Sequence, residues 1–261
     1  MLVAKEQGRT TRRTSGVSRA QRPSSPIAAP MRVRVVRGFE FSVRGCLVAL
    51  PSNVERVIAF LAVRDRPQPR TTVAATLWSD MTADRASANL RTALWRGRQL
   101  ADGCIVNEGC YMAVAPVVDV DLKRVVEQVR QLFADGDAAL GEGTRPADLE
   151  GDLLPDWDEE WIIFERERLR QMRIHALEAL CRKLSAARRH AEAIDAGLAA
   201  VAAEPLRESA QRALIAAHLD EGNVSEARRQ YHLYRELVWD ALGVEPSHGL
   251  RALIWSSTDV R

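Results

Sequence analysis

RASANLRTALWRGRQL, residues 85–100, has the length of one helix of about four turns. It carries Arg85, Arg91, Arg96 and Arg98 together with one tryptophan and one glycine. On a helical wheel Ala86, Leu90, Ala93, Leu94 and Gly97 gather on one face. Arg85, Asn89, Thr92, Arg96 and Gln99 lie away from that face, and Arg91, Trp95 and Arg98 take the outer and flanking positions. Such a helix is either a solvated basic surface or one that docks on something anionic. Guanidinium groups pair bidentately with guanine or hold a phosphate, and an asparagine amide can read adenine. The order of the elements around it decides between the two.

Upstream, MRVRVVRGFEFSVRG (31–45) alternates. Val33, Val35 and Arg37 point one way, and Phe39, Phe41 and Val43 follow after a shift at Gly38. This predicts a hairpin or small meander. NVERVIAFLAV (53–63) has helical spacing through Val54, Val57, Ile58 and Leu61, with Ser52 or Asn53 as cap. RPQPR is a stop and a turn. Thr71 or Thr72 can then cap a short helix, VAATLW, that ends near Trp78. Downstream, Cys104–Val106 and Tyr111–Val114 read as two strands joined by Asn107, Glu108 and Gly109, and Pro116 ends the unit. Sheet, helix, short helix, longer basic helix and hairpin make a winged helix-turn-helix plan, in which the last helix enters a major groove and the hairpin follows the backbone.

From Val118 the texture changes. DVDLKRVVEQVRQLF predicts an amphipathic helix capped by Asp119 or Asp121, with Leu122, Val125, Val126, Val129, Leu132 and Phe133 as its apolar face. ADGDAALGEGTRP (134–146) is a loop. Trp157–Leu184 is long and periodic, with Trp161, Phe164, Leu169, Met172, Leu177 and Leu180 as the buried stripe. HAEAI (190–194) and VSEAR (224–228) then place Glu192 and Ala193 on Glu226 and Ala227 at an offset of 34. That is the length of a tetratricopeptide unit of paired helices. Small residues at 193 and 227 permit close crossing, and the intervening helix, Glu208–Leu219, offers Ala210, Leu214, Ala217 and Leu219.

Charge follows the same division. Residues 1–30 carry six basic and one acidic group (net +5), residues 31–115 twelve and seven (+5), and residues 116–261 nineteen and twenty-seven (−8). The front half suits a nucleic acid and the back half a protein partner. Residues 1–30, rich in Arg, Thr, Ser and Pro without aromatics, read as a disordered basic tail, either dispensable or adding non-specific phosphate attraction.

Catalytic signals are few. No Gly-rich phosphate loop is followed by Lys-Ser/Thr. Cys104 and Cys110 are six apart without a second pair, and read as small apolar strand residues; Cys46 and Cys181 read as packing residues. The histidines, at 175, 190, 218, 232 and 248, form no metal-binding spacing. Asp156, Asp158, Glu159 and Glu160 concentrate where a helix begins, which is where acids meet its unpaired amides. Neither a catalytic residue, a cofactor nor a metal is expected, and no apolar run approaches membrane-spanning length. A chain without such a run or a signal-peptide pattern is expected in the cytoplasm, associated with the nucleoid when bound to DNA.

Four stretches together resemble SARP-type bacterial transcriptional activators, the regulators of antibiotic pathways in actinomycetes that join a response-regulator-type winged helix-turn-helix to a bacterial transcriptional activation domain (BTAD). They are VERVIAFLAVRDRPQPRTTVAATLW, ASANLRTALWRGRQL, LLPDWDEEWIIFERERLRQMRIHALEAL and AEPLRESAQRALIAAHLDEGNVSEARRQYHLYRELVWDALGVEPSHGLRAL. The resemblance implies sequence-specific binding to double-stranded DNA at promoter direct repeats, contact with RNA polymerase holoenzyme and a homodimer on DNA. It places Arg91, Thr92, Trp95, Arg96 and Arg98 in the recognition helix and Asn107–Tyr111 in the wing. The chain departs from the family pattern at Gly97, where leucine is usual, and in a wing, CIVNEGCYMAV, without a basic residue.

The expected architecture is mainly α: a basic tail (1–30), a winged helix-turn-helix domain (31–115), an all-α tetratricopeptide-like activation domain (116–256) and a short tail (257–261). The expected DNA-binding residues are Arg85, Asn89, Arg91, Thr92, Trp95, Arg96, Arg98, Gln99 and Asn107. Gly97 and the uncharged wing also motivate a second expectation, a protein-interaction module with weakened DNA binding that acts through its repeats. A third is a regulator gated by a small molecule held by Trp157, Trp161 and Trp239.

Overall fold

The computed structural model describes residues 31–134 and 145–256. The expected tails and most of the loop at 134–146 lie outside the described residues. β1 (Met31–Arg34), β2 (Glu40–Val43) and β3 (Cys46–Leu47) form an antiparallel meander, as the alternation requires. Val33, Val35 and Phe41 are buried. Arg37 does not continue the strand: it turns at φ 70° and is exposed.

α1 (Ser52–Arg64) buries Val54 and every residue from Val57 to Val63. Its ring of apolar neighbours comes from both halves of the chain. On the N-terminal side it packs on α2 (Arg70–Leu77) and α3 (Ala83–Leu100). On the other side Phe60 meets Trp161 of α5 (Glu160–Ala186) edge to face, ring centroids 5.1 Å apart. Burying a side chain of that size contributes roughly 1.5–3 kcal/mol. The expected caps are absent at two helices. α1 follows Pro51 and α2 follows Pro69, neither start having a side-chain cap. Proline stands at both N-caps with φ near −60°, and at α1 the Pro51 carbonyl accepts from the Val54 and Glu55 N–H groups.

Two strands escape the sequence pattern because each is only two or three residues long. β4 (Gln68–Pro69) pairs antiparallel with β6 (Tyr111–Val114), which pairs with β5 (Ile105–Glu108) to give a three-stranded wing. β5 runs on through Glu108, so the turn is Gly109-Cys110 rather than Asn107–Gly109, with Gly109 at φ 60°. β7 (Val118–Val120) pairs parallel with β1 and completes a sheet of order β3-β2-β1-β7. It stands beyond Pro116, so the N-terminal sheet draws its last strand from the second half of the chain.

Asp121, the first residue of α4 (Asp121–Ala134), consolidates that join. Its carboxylate accepts from the backbone N–H groups of Val35, Val36 and Leu122 at 2.9, 3.0 and 2.8 Å. Burial pushes its pKa up, and the three amides pull the other way. Further along, Leu153 bridges to Val36, and Leu154 N–H donates to the Val35 carbonyl at 2.8 Å.

α5, α6 (His190–Ala203), α7 (Glu208–Glu221), α8 (Val224–Leu242) and α9 (His248–Ser256) stack as helical repeats. Ala193 and Ala227 are fully buried, as the repeat required. At Gly197 a Cβ would sit 3.1 Å from the Leu214 backbone, so a larger residue would push α6 and α7 apart by a few tenths of an ångström. Two expected core residues are outside. Phe164 is 84% exposed, because it lies about 200° around the helix from buried Ile162. Phe133 is 54% exposed, because Leu132 takes the buried position one turn after Val129. α5 also begins at Glu160, not Trp157. The carbonyls of Leu153, Leu154 and Trp157 instead accept from the Arg166 guanidinium.

Candidate nucleic-acid interface

α3 buries Ala86, Leu90, Ala93 and Gly97, and half-buries Leu94. The spacing of 4, 3 and 4 makes one face, and that face meets α1 and α2. The face read from the wheel is therefore the packed one. A Cβ on Gly97 would lie 3.4 Å from Val54 Cγ1 of α1. Beside it opens a cleft of about 140 Å³ lined by Ile58, Leu94, Ala101, Cys104 and Ile105 among others.

The opposite face is exposed at Arg85, Arg91, Thr92, Trp95, Arg96, Arg98 and Gln99. Trp95 is 62% exposed, unusual for an indole with nothing against it. Among the described residues none of the guanidinium groups of Arg85, Arg91, Arg96 and Arg98 has a hydrogen-bond or ion-pair partner. Several arginines behind them are engaged. Arg56 pairs with Glu159, Arg64 with Glu165 at 2.6 Å, Arg170 with Glu204 and Arg207 with Glu178 at 2.7 Å. Uncompensated guanidinium on one helix face attracts anions.

Two expected contact residues are partly committed. Asn89 is half-buried and its Nδ2 donates to Met81 Sδ at 3.1 Å. Thr92 Oγ1 donates to the Ala88 carbonyl at 3.1 Å. Asn107 is exposed on β5, borders the same cleft as Gly97 and Arg98 of α3, and its Oδ1 accepts from Arg70 Nη1 at 2.9 Å. The sequence reading passes over Arg70 because a Thr71 or Thr72 cap puts the start of α2 two or three residues too late.

The acidic run before α5 is structural at Glu159. It stands at the N-terminal boundary of the helix, accepts from Trp161 Nε1 at 2.7 Å and pairs with Arg56. The three tryptophans proposed for a ligand sit apart. Trp157 packs on Phe39 and Trp161 on Phe60, while Trp239 is 55% exposed on α8. Burial pushes the Cys104 thiol up to about 12 and the Cys181 thiol up to about 11, so both are packing residues. Cys46 and Cys110 are exposed instead. Among the described residues no group of three or more His, Cys, Asp or Glu could hold a metal, and no helix is long and apolar enough to cross a membrane.

Residues 118–255 match the family described as bacterial transcriptional activator domain (BTAD). The regulatory protein AfsR of Streptomyces coelicolor is 31% identical over 186 residues, which are 68% of this chain and 19% of AfsR. The chain thus spans about a fifth of that relative's length. Among solved structures, Mycobacterium tuberculosis EmbR in complex with a low affinity phosphopeptide matches with a TM-score of 0.71 and 20% identity, covering 88% of this chain and 65% of EmbR. At that identity the likeness is one of fold. The matched family and the S. coelicolor relative carry regulatory rather than enzymatic names, and the non-enzymatic reading of the sequence rests on that ground.

Proposed function

The chain belongs to the bacterial transcriptional activator domain family, and from that premise we propose that it is a sequence-specific DNA-binding regulator that activates transcription at promoters. Residues 31–115 serve as the DNA-binding unit and residues 116–256 as the activation domain. α3 lies in the major groove of double-stranded DNA. Arg91, Trp95, Arg96 and Arg98 face bases and phosphates, with Arg85, Thr92 and Gln99 beside them. Asn89 contributes through its free carbonyl oxygen and Asn107 from the wing. The helical half contacts RNA polymerase holoenzyme, and two copies occupy direct repeats. The protein acts in the cytoplasm, on the nucleoid when bound.

One observation carries this proposal: four exposed arginines gathered on one face of α3 have no acidic partner among the described residues, whereas Arg56, Arg64, Arg170 and Arg207 are each paired with a glutamate. The test is fluorescence anisotropy and footprinting on the protein's own promoter region against random duplex. Arg91→Ala and Arg96→Ala are expected to weaken specific binding by 1–3 kcal/mol where they contact a base, a roughly 5- to 150-fold loss. Equal affinity for both duplexes with no footprint removes the proposal.

A second reading keeps the fold and changes the partner. α8, α9 and their connection expose Leu233, Leu237, Trp239, Leu242, Val244 and Trp255. That apolar surface supports a protein-interaction module acting through the repeats. A stable partner that co-purifies while no duplex is footprinted would favour it.

A further inference from the structure

The wing carries no positive charge of its own. From Ile105 to Val114 its only ionisable groups that bear charge at neutral pH are acidic, in the side chain of Glu108. A hairpin of that sign, set beside a duplex, would repel the phosphates it has to follow. The fold supplies what the hairpin lacks from a different segment. β4 pairs with β6 at Gln68↔Met112 and Pro69↔Tyr111, so the next residue emerges at the hairpin's end. That residue is Arg70. Its backbone N–H donates to the Cys110 carbonyl at 2.8 Å, and its Nη1 donates to Asn107 Oδ1 at 2.9 Å. Main chain and side chain thus hold the guanidinium against the wing from both sides of the turn.

Arg70 has no carboxylate partner among the described residues, and the contact to Asn107 is to a neutral amide, so its full charge stays uncompensated. A guanidinium has five N–H donors, of which Asn107 engages one. From these observations we infer that Arg70 is the phosphate-holding residue of the wing, oriented by Asn107, and that Asn107 acts on DNA through it. The inference rests on the DNA-binding reading above. It gives Arg70 a role distinct from the α3 arginines. A phosphate contact carries no sequence information, so it strengthens binding to every duplex alike.

The experiment uses the full chain and two labelled duplexes, its own promoter region and a random sequence of equal length, titrated from 50 to 200 mM salt. Arg70→Ala and Arg70→Gln lower affinity for both duplexes by the same factor and reduce the salt slope by roughly 0.9, the release of one phosphate's counterions. The parent's advantage over either variant therefore shrinks about threefold across that salt range. Arg70→Lys restores the slope. Asn107→Ala, which removes the orienting amide and keeps the charge, leaves the slope near that of the parent. If Arg70 only buttresses the hairpin, Arg70→Gln keeps the parental slope and behaves like Asn107→Ala; that result overturns the inference alone. A parent protein with no salt-dependent affinity for either duplex overturns the inference together with the DNA-binding reading. Should Arg70→Ala fail to fold, the Gln and Lys variants decide the matter.

Discussion

Arg56 of α1 and Glu159 ahead of α5 meet through two hydrogen bonds, Nε to Oε1 at 2.8 Å and Nη2 to Oε2 at 3.0 Å. The same guanidinium donates to the Leu77 carbonyl at the end of α2 and lies over the Trp78 ring at 5.6 Å from its centroid. One side chain thus ties α1, the turn that leads into α3, and the first long helix of the repeats. Arg56→Ala removes all four contacts. The pair is about a quarter exposed, which keeps the loss below that of a fully buried ion pair. Unfolding in urea should show a loss of about 2 kcal/mol. In a double-mutant cycle with Glu159→Gln the coupling should be about 1 kcal/mol. Strict additivity of the two changes would mean that the pair contributes nothing.

Gly97 invites the opposite change. A glycine within a helix costs roughly 0.5–1 kcal/mol relative to alanine. Here an added Cβ reaches Val54 Cγ1 at 3.4 Å, a contact that needs no displacement of α1. Gly97→Ala should therefore raise stability by about 0.5–1 kcal/mol, a Tm increase of roughly 1–4 °C for a chain of this size. A lower Tm would show that α1 and α3 pack more tightly than this distance implies. Leucine can exceed alanine only by reaching the cleft lined by Ile58, Leu94 and Ile105.

Periodicity made α3 and the buried alanines of the repeats legible, because each lies in a regular helix whose pattern reports its own packing. The face of α3 came out correctly for that reason. The pieces that were not legible are short or depend on distant residues. β4 and β7 have two and three residues, too few for an alternation. Arg70 owes its place to strand pairing across 42 residues of sequence, and nothing local to RPQPRTT marks it. Phe164 and Phe133 were misplaced because hydrophobicity was taken as burial, whereas the helical phase puts both outside.

Acid should weaken the helical half. Hydrogen bonds from Arg170, Arg189 and Arg235 hold Glu167, Glu192 and Glu245 below the usual glutamate value of 4.5, Glu167 at about 2. At Glu208 burial raises the pKa, but the Ser247 hydroxyl and amide and Arg212 outweigh it. A lowered acid contributes its stability fully above its unfolded pKa and loses it as pH falls through the folded value. Asp121 and Glu55, raised by burial, have the opposite sign: their contribution declines as pH rises above the ordinary carboxylate range. The lowered group is the larger, so the Tm of the full chain should fall steadily from pH 4.5 to pH 3. Glu208→Gln should flatten part of that fall. A Tm that holds or climbs over this range would mean that the raised acids govern instead.

The shared sheet sets the last expectation, on where the chain can be cut. A fragment of residues 31–115 keeps α1, α2, α3 and the wing, and with them the proposed DNA-binding unit. It loses β7, the parallel partner of β1 at Met31, Arg32 and Val33. It also loses the Asp121 carboxylate, leaving the Val35 and Val36 amides without their acceptor. Each buried donor left unsatisfied costs about 1–3 kcal/mol. Removing α5 uncovers Phe60, whose ring rests on Trp161, and ends the ion pairs of Arg56 and Arg64. Together these losses match the whole stability of a small domain, about 5–15 kcal/mol. The fragment should therefore melt without a cooperative transition by circular dichroism, while the full chain melts cooperatively. Extending it to residue 134 restores β7 and Asp121 but not α5, and should recover only part of the structure. A sharp transition of the 31–115 fragment near the Tm of the full chain would show that the first half folds without help, and that β7 and α5 are additions to it rather than parts of its core.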